Sequence, residues 1–413
     1  MTPEVKKRIE QIRQGIVPEG YVKDKDGIYP RDWASKKIGQ WLKLAERSIV
    51  LQDEEEYQLV TIRRGFGGVD SRGSFLGKNV LVKNYFIVKT GDFIISKRQI
   101  AHGACGIVPP ELDGAVVSNE YNVFLPQDGT NIQMFNLMMQ LPHYKRLFYL
   151  MSDGVHIEKL LFKTQDWMKR TLAMPLLKEQ KKIAEILSTQ DRAIELQGRK
   201  IEELKRFKQG CLERMFPRKG QKVPEKRFPG FTDDWEQRKL GDIGKARSGV
   251  GFPDAEQGGV TGIPFFKVSD MNLGGNENEM TVANNYVTAE QIAVHRWSPI
   301  TELPAIFFAK VGAAVMLNRK RLCRFPFLLD NNTMAYSLSS TKWDADFAKA
   351  LFGTVDLTSL VQAGALPSYN AGDVESMEIY LPSLLEQEQI GGFFKQLDTL
   401  IALHQRKLEK LTN

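Results

Sequence analysis

The chain has 413 residues, of which 42% are hydrophobic and 26% are charged, so it can bury a sizeable core and is long enough for roughly two to four modules. Its formal net charge of +7 permits binding to nucleic acid without requiring it. The longest apolar run, from Leu303 to Leu317, is interrupted by Lys310 and is too short to cross a bilayer. Because the first residues are charged and include no apolar signal segment, we expect a cytoplasmic protein that does not bind membranes.

In chain order, the sequence predicts a helical segment over residues 1–29 and then a first module of mixed α/β structure over residues 30–174. The stretch from Phe66 to Lys97 alternates apolar and polar residues between glycine-bearing turns, as half-buried strands do. Basic side chains in such loops suit phosphates and guanine edges; any single one of them is better explained as solvated surface, and the group is more informative than its members. The candidate contacts of this module are Arg63, Arg64, Arg72, Lys97, Arg98 and His102.

Residues 175–217 predict one long helix, since apolar residues recur every seven positions without an interrupting proline. A plain amphipathic helix packed on its own domain is the alternative to a coiled-coil seam. Gln190 and Gln197 stand at seam positions, where polar residues can set register or mark a face shared with another subunit. The predicted seam residues are Ile183, Leu187, Ile194, Ile201 and Leu204.

A linker over residues 218–231 is rich in proline, glycine and lysine, and a second mixed module follows over residues 232–381. From Arg199 to Arg227 there are 11 Lys or Arg and 4 Asp or Glu residues. Such a run is either a solvated face or a contact to a phosphate backbone. The candidate contacts of the second module are Lys267, Ser269, Lys310, Asn318, Arg319 and Lys320, with asparagine suited to adenine.

Residues 382–413 predict a second long helix that repeats the first. Residues 174–204 and 381–411 align without gaps at an offset of 207 and are identical at 12 of 31 positions. Asp92–Lys97 is similarly echoed by Ala305–Lys310. The chain is therefore predicted to be a duplicated module-and-helix pair in which the helices pair antiparallel. The second seam contains a polar His404 beside the apolar residues Ile390, Phe394, Leu397, Ile401, Leu408 and Leu411.

The sequence contains no recognisable catalytic or metal-binding motif. "GSFLGKN" is too short for a phosphate-binding P-loop, and "GFGGVD" lacks the third glycine of a dinucleotide loop. The three cysteines lie too far apart for a zinc motif and are too few for a disulfide framework. His102 has no visible carboxylate or nucleophile as a partner. An enzyme that acts alone is therefore disfavoured.

Several stretches, in this order, resemble the type I restriction–modification specificity (S) subunits. "MPLLKEQKKIAEILSTQDRAI" and "LPSLLEQEQIGGFFKQLDTLIALHQRKLEKL" are similar to the two conserved helical regions of that family. "PRDWASKKIG" and "MFPRKGQKVPEKRFPGFTDDWEQRKLGDI" resemble the segments that lead into its two target recognition domains. "GDFIISKRQIAHG", "IPFFKVSDM" and "FPFLLDNNTMAYSL" resemble blocks within those domains. Two features depart from the pattern: the first helix reads "IELQGRKIE" where the second reads "LHQRKLE", and no counterpart of "FKQGCLERMF" follows the second helix.

The resemblance implies an α+β fold in which two target recognition domains are separated by two long, antiparallel, coiled-coil-like helices. Each domain would read one half of a bipartite site on double-stranded DNA, and the helices would set the gap and dock two modification subunits. The chain would not be catalytic by itself and would bind no cofactor, since S-adenosylmethionine, ATP and magnesium are expected on the modification and restriction subunits. The alternative is a scaffold with two binding modules for ligands other than DNA.

Overall fold

The computed structural model describes residues 2–24, 27–154, 160–218, 220–338, 342–361 and 366–412. The chain forms two compact units, unit 1 from Met1 to Arg192 and unit 2 from Ala193 to Asn413. The division falls within one continuous helix, so the first part of that helix belongs to unit 1 and the remainder to unit 2.

Unit 1 is a mixed α/β unit built mainly from short strands. Its elements in chain order are α1 (Pro3–Arg13), β1 (Tyr21–Asp24), β2 (Gly27–Pro30), β3 (Ala34–Lys37), α2 (Ile38–Trp41), β4 (Leu42–Leu44), β5 (Ser48–Val50), β6 (Glu56–Ile62), β7 (Val69–Leu76), β8 (Asn84–Ile87), β9 (Phe93–Ser96), β10 (Cys105–Ile107), β11 (Val116–Ser118), β12 (Tyr121–Pro126), α3 (Ile132–Met139), α4 (Pro142–Leu150), β13 (Ser152–Asp153), β14 (Leu161–Phe162), α5 (Thr164–Met168), β15 (Thr171–Met174) and the beginning of α6 (Leu177–Met215).

Among the described residues of the segment predicted as helical over residues 1–29, which are 2–24 and 27–29, the α-helix is confined to α1. Thr2 caps this helix by accepting a hydrogen bond from the Val5 N–H at 3.4 Å, and Pro3 stands at the first position, where a missing N–H costs nothing. Gly15, at a φ of 76°, ends the helix, because its left-handed conformation lets the following N–H groups reach back to the last turn. The chain then forms the antiparallel β1–β2 hairpin.

Two sheets form the body of unit 1. The first has the strand order β10-β9-β12-β4 and is antiparallel throughout. The second has the order β5-β8-β11-β6-β7, in which β11 and β6 are parallel. The core beneath α3 and α4 is aromatic: Trp167 is fully buried and contacts Phe124, Phe135 and Phe148.

Unit 2 has a similar composition of elements. After the remainder of α6 it contains β16 (Glu236–Lys239), β17 (Lys245–Ser248), β18 (Ile263–Phe266), β19 (Tyr286–Val287), α7 (Ala289–His295), β20 (Ala305–Ala309), β21 (Lys320–Cys323), β22 (Leu328–Leu329), β23 (Thr333–Ser337), α8 (Ala345–Thr354), α9 (Ala371–Glu375), β24 (Glu378–Leu381) and α10 (Leu384–Thr412).

The four-stranded sheet of unit 1 has a counterpart in unit 2, and three of the five strands of its second sheet do as well. An antiparallel sheet has the order β17-β23-β20-β21, and a second sheet has the order β19-β18-β22 with β18 and β22 parallel. In unit 1 the strands β4, β9, β10 and β12 follow the same connection pattern as β17, β20, β21 and β23. The sequence echo between Asp92–Lys97 and Ala305–Lys310 therefore corresponds to the central strands β9 and β20.

The long helices α6 and α10 have 39 and 29 residues, and α6 alone extends about 58 Å at about 1.5 Å per residue. Within unit 2, Gln197 Nε2 donates to the His404 carbonyl oxygen at 3.1 Å. Further along α6, the Phe207 ring lies 6.5 Å from the Phe393 ring, centroid to centroid. Higher residue numbers of α6 thus contact lower residue numbers of α10.

The predicted seam residues differ in burial. Ile201 and Leu204 of α6 are buried, whereas Leu187 is 42% exposed and Ile194 is half-buried. Ile183 packs against the core of unit 1. On α10 the N-terminal members are buried and the C-terminal members are half-buried; the buried ones are Ile390, Phe394, Leu397 and Ile401, and the half-buried ones are Leu408 and Leu411.

The predicted linker packs closely on unit 2. Val223 and Phe228 lie against its core, and Arg227 donates two hydrogen bonds to the Glu386 carboxylate at 2.8 and 2.7 Å. The Glu386 side chain is 1% exposed, so this pair is a buried, bidentate contact between the linker and the first turn of α10. Among the residues that the structure describes, no helix is long and apolar enough to span a membrane.

Candidate nucleic-acid interface

In unit 1 two of the predicted contact loops lie together. The Gly65 N–H in the β6–β7 loop donates to the His102 carbonyl at 2.7 Å, and the Phe66 N–H donates to the Gly103 carbonyl at 2.8 Å. Phe66 has a φ of 60°, which is unusual for a bulky residue. Its ring packs closely on Gly103: a Cβ atom at position 103 would lie 2.9 Å from the ring, so the contact requires a glycine there. The loop with Arg63 and Arg64 is thereby fixed to the loop with His102.

The cations of these loops have different partners. Arg63 pairs with Asp70 at 3.0 Å, and Arg98 pairs with Glu120 at 2.6 Å. Lys97 is half-buried and donates to the Asn119 carbonyl oxygen at 2.5 Å. These contacts extend the group of loops toward the segment between β11 and β12. Arg64 is exposed at the same loop as Arg63.

Arg72, on the edge strand β7, is exposed and forms no ion pair within the described ranges. It lies at an open depression of about 430 Å³. Burial raises the pKa of the Tyr85 phenol in this depression, and the nearby charge of Arg72 opposes that rise. The remaining lining residues are Leu59, Phe75, Asn79, Val80, Leu81, Val82, Ser118, Asn119 and Glu120.

Unit 2 joins the topologically equivalent loops through side chains. The β18–β19 segment meets the segment after β20, because Arg319 Nη1 donates to Asn272 Oδ1 at 2.6 Å and Arg321 Nε donates to the Asn276 carbonyl at 2.6 Å. The β18–β19 segment is itself held by the buried Asp270, whose carboxylate accepts hydrogen bonds from the Lys267 N–H at 2.6 Å and the Asn284 amide at 2.8 Å.

Four of the predicted residues of unit 2 lie on these two segments with accessible groups. Lys267 is half-buried and its ammonium donates to Gln257 Oε1 at 3.0 Å. Ser269 is exposed in a short 3-10 turn. Lys310 directly follows β20, is half-buried and forms no ion pair within the described part of the chain. Arg319 completes this group.

The other two predicted residues, Asn318 and Lys320, face the interior of unit 2. Asn318 has a φ of 49° and accepts a hydrogen bond from the Leu357 N–H at 3.1 Å. The Lys320 ammonium donates to the Val355 carbonyl, and burial lowers the pKa of this lysine to about 8. Both side chains anchor residues 355–357, a role that local composition does not reveal because the partners lie more than 30 residues away.

Two buried glutamines were not predicted from the sequence. Gln180 and Gln387 stand 207 residues apart, at the same position of the repeated segments, and are 0% and 2% exposed. Gln180 accepts a hydrogen bond from the Asn131 N–H at 2.8 Å, and Gln387 accepts one from the Asp344 N–H at 3.0 Å. The sequence did contain one indication of their importance, since glutamine occurs at this position in both copies of the repeat.

A charged network lies behind the β18–β19 segment of unit 2. Glu279 of that segment pairs with Arg324 at 3.0 Å, and Lys349 of α8 lies 3.5 Å from Glu279 and 2.9 Å from Asp398 of α10. Lys208 of α6 is 2.5 Å from the same Asp398 carboxylate. Within the described residues, no group of three or more His, Cys, Asp or Glu side chains is placed to hold a metal ion.

Comparison with known proteins identifies the family of this chain. The sequence family described as "Type I restriction modification DNA specificity domain" matches residues 30–206 and again residues 232–413. The type I restriction enzyme MjaVIII specificity subunit of Methanocaldococcus jannaschii is 21% identical, over 92% of this chain and 90% of that protein. The putative MjaX specificity subunit of the same organism is 23% identical, over 95% and 93%.

Solved structures share the fold. The S subunit of a type I restriction–modification system from M. genitalium superposes with a TM-score of 0.55 at 14% identity, over 92% of this chain and 93% of that one. A chain from a structural study of assembly and conformational transition in a type I restriction–modification system gives a TM-score of 0.52 at 16% identity, over 93% and 95%. The two domain matches cover most of the sequence, so the chain belongs to the type I restriction–modification DNA specificity family and is a DNA-recognising, non-catalytic specificity subunit of such a system.

Proposed function

We propose that each unit reads one half of a bipartite DNA site through its two joined loops. The observation that carries this proposal is the equivalent pairing of loops in both units, β6–β7 with β9–β10 and β18–β19 with β20–β21. Each pair presents arginine, lysine or amide groups, which suit phosphates and base edges. In unit 1 the contacts are Arg63, Arg64, Arg72, Lys97, Arg98 and His102, and in unit 2 they are Lys267, Ser269, Lys310 and Arg319.

The two helices α6 and α10 form an antiparallel, coiled-coil-like pair that sets the gap between the half-sites. The contacts of Gln197 with His404 and of Phe207 with Phe393 support opposite helix directions. Gln197 and His404 are equivalent residues of the two repeats, and equivalent residues meet each other near the centre of an antiparallel pair. Together with the matching strand orders of the units, this contact supports an internal duplication over residues 30–217 and 232–413.

The same helices dock two modification subunits, and these in turn recruit restriction subunits. Apolar side chains that remain exposed on both helices support this role, because exposed apolar side chains on a charged helix are available to a partner subunit. On α6 they include Ile186, Leu187, Leu196 and Phe207, and on α10 they include Leu400 and Leu403. S-adenosylmethionine, ATP and magnesium belong to the partner subunits in this scheme, and the present chain supplies DNA sequence recognition.

A genome-wide map of N6-methyladenine tests this proposal. The chain is expressed with its modification subunit in cells that lack both, and the map is compared with that of cells expressing the modification subunit alone. We expect a split motif with two defined halves and a fixed gap that depends on the present chain. If a folded and expressed pair produces no such motif, DNA reading by these loops is wrong.

A further inference from the structure

The segment between β7 and β8 carries an apolar surface that the fold of unit 1 does not use. Leu81 is 98% exposed, and Val82 and Phe75 beside it are 47% and 37% exposed. A single exposed leucine is ordinary, but a group of exposed apolar side chains surrounded by polar groups is characteristic of an interaction site. These three side chains line one side of the 430 Å³ depression.

The floor of the depression is apolar. Leu59, Val80 and Tyr85 line it and belong to the small buried cluster on one face of the β5-β8-β11-β6-β7 sheet. The exposed apolar side chains are therefore continuous with a rigid, packed surface of the sheet. A ligand group that fits here must present an apolar surface to Leu81 and Val82.

The polar rim determines which kind of ligand fits. Arg72 forms no ion pair, and the side-chain amides of Asn79 and Asn119 form no hydrogen bond, within the part of the chain that the structure describes. Glu120, the carboxylate that lines the depression, pairs with Arg98 at 2.6 Å, and in the β5–β6 loop Asp53 pairs with Lys83 at 2.6 Å and Glu54 with Lys78 at 3.5 Å. Unpaired guanidinium and amide groups beside an apolar surface match the edge of a base pair.

The depression adjoins the joined loops of unit 1. Glu120 lines it and pairs with Arg98, and the carbonyl of Asn119, another lining residue, accepts the hydrogen bond from Lys97. The apolar surface and the basic loops thus form one continuous face of unit 1.

We propose that residues 77–83 and this depression read an A·T base pair in the major groove, with Leu81 and Val82 contacting the C5-methyl group of thymine. Thymine is the base that carries an apolar group in the major groove, and apolar side chains recognise it by direct contact. Arg72, Asn79 and Asn119 supply the hydrogen bonds to the adjoining base edges. This inference rests on the proposed function and adds the chemical identity of one recognised base.

The test exchanges thymine for deoxyuridine, which removes the methyl group and leaves every base-pairing group in place. The specificity subunit is assembled with its modification subunits, and its affinity is measured at fixed salt for duplexes that carry the mapped motif with one thymine at a time replaced. The proteins compared are the wild type, Leu81→Ala and Leu150→Ala. Leu150, at the end of α4 and 56% exposed, provides the matched control.

At one thymine of one half-site we expect deoxyuridine to weaken wild-type binding about fourfold. This is the loss of affinity expected when one methyl-sized group is no longer buried. Leu81→Ala should bind the thymine duplex less tightly than the wild type and should distinguish it from the deoxyuridine duplex by less than fourfold, because only Val82 still contacts the methyl group, whereas Leu150→Ala should behave as the wild type.

Three outcomes would overturn the inference. If the motif is mapped but no thymine distinguishes the wild type from Leu81→Ala, the base-reading site is wrong while the proposed function stands. If Leu81→Ala stays folded but no longer co-elutes with the modification subunits, the segment is a protein-docking surface. If no split motif depends on the chain, the proposed function fails and this inference fails with it.

Discussion

Gln180 and Gln387 show how one repeated residue fixes a long helix to its own unit. The Gln180 amide donates to the carbonyl of Pro175 at 2.8 Å, and the Gln387 amide donates to the carbonyl of Pro382 at 3.1 Å. The side-chain carbonyl oxygen of each glutamine accepts a hydrogen bond from the N–H of a residue that caps an earlier helix of the same unit, α3 or α8. Each glutamine therefore joins the start of a long helix to the start of a domain helix, and a buried amide is costly to remove because its partners lose their hydrogen bonds.

Sequence reasoning identifies the apolar residues of these helices more readily than the buried polar ones. A glutamine on a charged helix resembles a solvated residue, because burial depends on what packs over it. The same limit applies to Arg227, which belongs to a basic run in the sequence but is bound by the buried Glu386. The capping residues that bind the two glutamines and the carboxylate that binds Arg227 lie at least 43 residues away in the sequence, beyond the reach of any local pattern.

Asp398 makes the stability of unit 2 sensitive to acid. Burial alone would raise the pKa of this carboxyl, but the ion pairs with Lys349 and Lys208 outweigh it and lower the pKa below its usual value. An unfolded aspartate has a pKa of about 3.9, so the ion pairs stabilise the folded state fully above about pH 4. This stabilisation is lost as the pH falls through the lower pKa of the folded state. We expect Asp398→Asn to lower the free energy of unfolding by about 2 kcal/mol at pH 7, because it removes the carboxylate that pairs with the half-buried ammonium groups of Lys208 and Lys349.

Urea unfolding of the wild type and Asp398→Asn, followed between pH 7 and pH 3, measures this contribution. The difference between the two proteins should be constant above about pH 4 and should shrink at lower pH. Asp242→Asn, at an exposed aspartate of the same unit, should unfold as the wild type does at every pH. A difference that grows as the pH falls would contradict the assigned direction of the pKa shift.

At the scale of elements, the heptad pattern predicts an apolar stripe on each helix. It does not predict which residues of the stripe are buried by packing and which remain exposed. Ile201 is 5% exposed and Leu187 is 42% exposed, although both occupy the same heptad position. The sequence leaves two roles open for the polar seam residues, which can set the register of the helices or contact another subunit. In the structure Gln197 donates a hydrogen bond to the His404 carbonyl oxygen. The repeated sequence indicates which positions are equivalent, and only packing distinguishes a covered position from an exposed one.

This contrast gives a paired prediction for the docking of modification subunits. Ile201→Asp should destabilise unit 2 by at least about 2 kcal/mol, because it removes a buried side chain and buries a charge. Leu187→Asp should leave the thermal unfolding temperature within a few degrees of the wild type, because the side chain is already exposed. Since it places a charge on the proposed interface, Leu187→Asp should reduce co-elution with modification subunits on size-exclusion chromatography.

Ser188→Asp is the control for Leu187→Asp. It adds the same charge one residue further along α6, about 100° around the helix axis, where no apolar residue is lost. If Leu187→Asp and Ser188→Asp assemble equally well, this face of α6 does not dock the modification subunits, and the exposed leucines of α10 become the next surface to vary.

At the scale of the whole molecule, the sequence predicts the order of two modules and two helices, and the family match to both halves confirms two recognition domains. The predicted loops of unit 1 come together because glycines allow two backbones to approach within hydrogen-bonding distance. The loops of unit 2 are less predictable, since side chains rather than a glycine pattern join them. Asn318 and Lys320 belong to the same basic stretch as Arg319 but anchor a distant segment, so composition alone does not separate the accessible cations from the internal ones.

The proposed role of the helices as a spacer predicts how the DNA site responds to helix length. Inserting four helix-forming residues after Gln197 lengthens α6 by one turn, about 6 Å, which corresponds to about two base pairs of duplex. We expect the methylation map to show the same two half-sites separated by a gap about two base pairs longer. The same four residues inserted after Gly230, outside any helix or strand, should leave the gap unchanged. A gap that stays constant in the Gln197 insertion, with methylation retained, would show that α6 does not set the spacing.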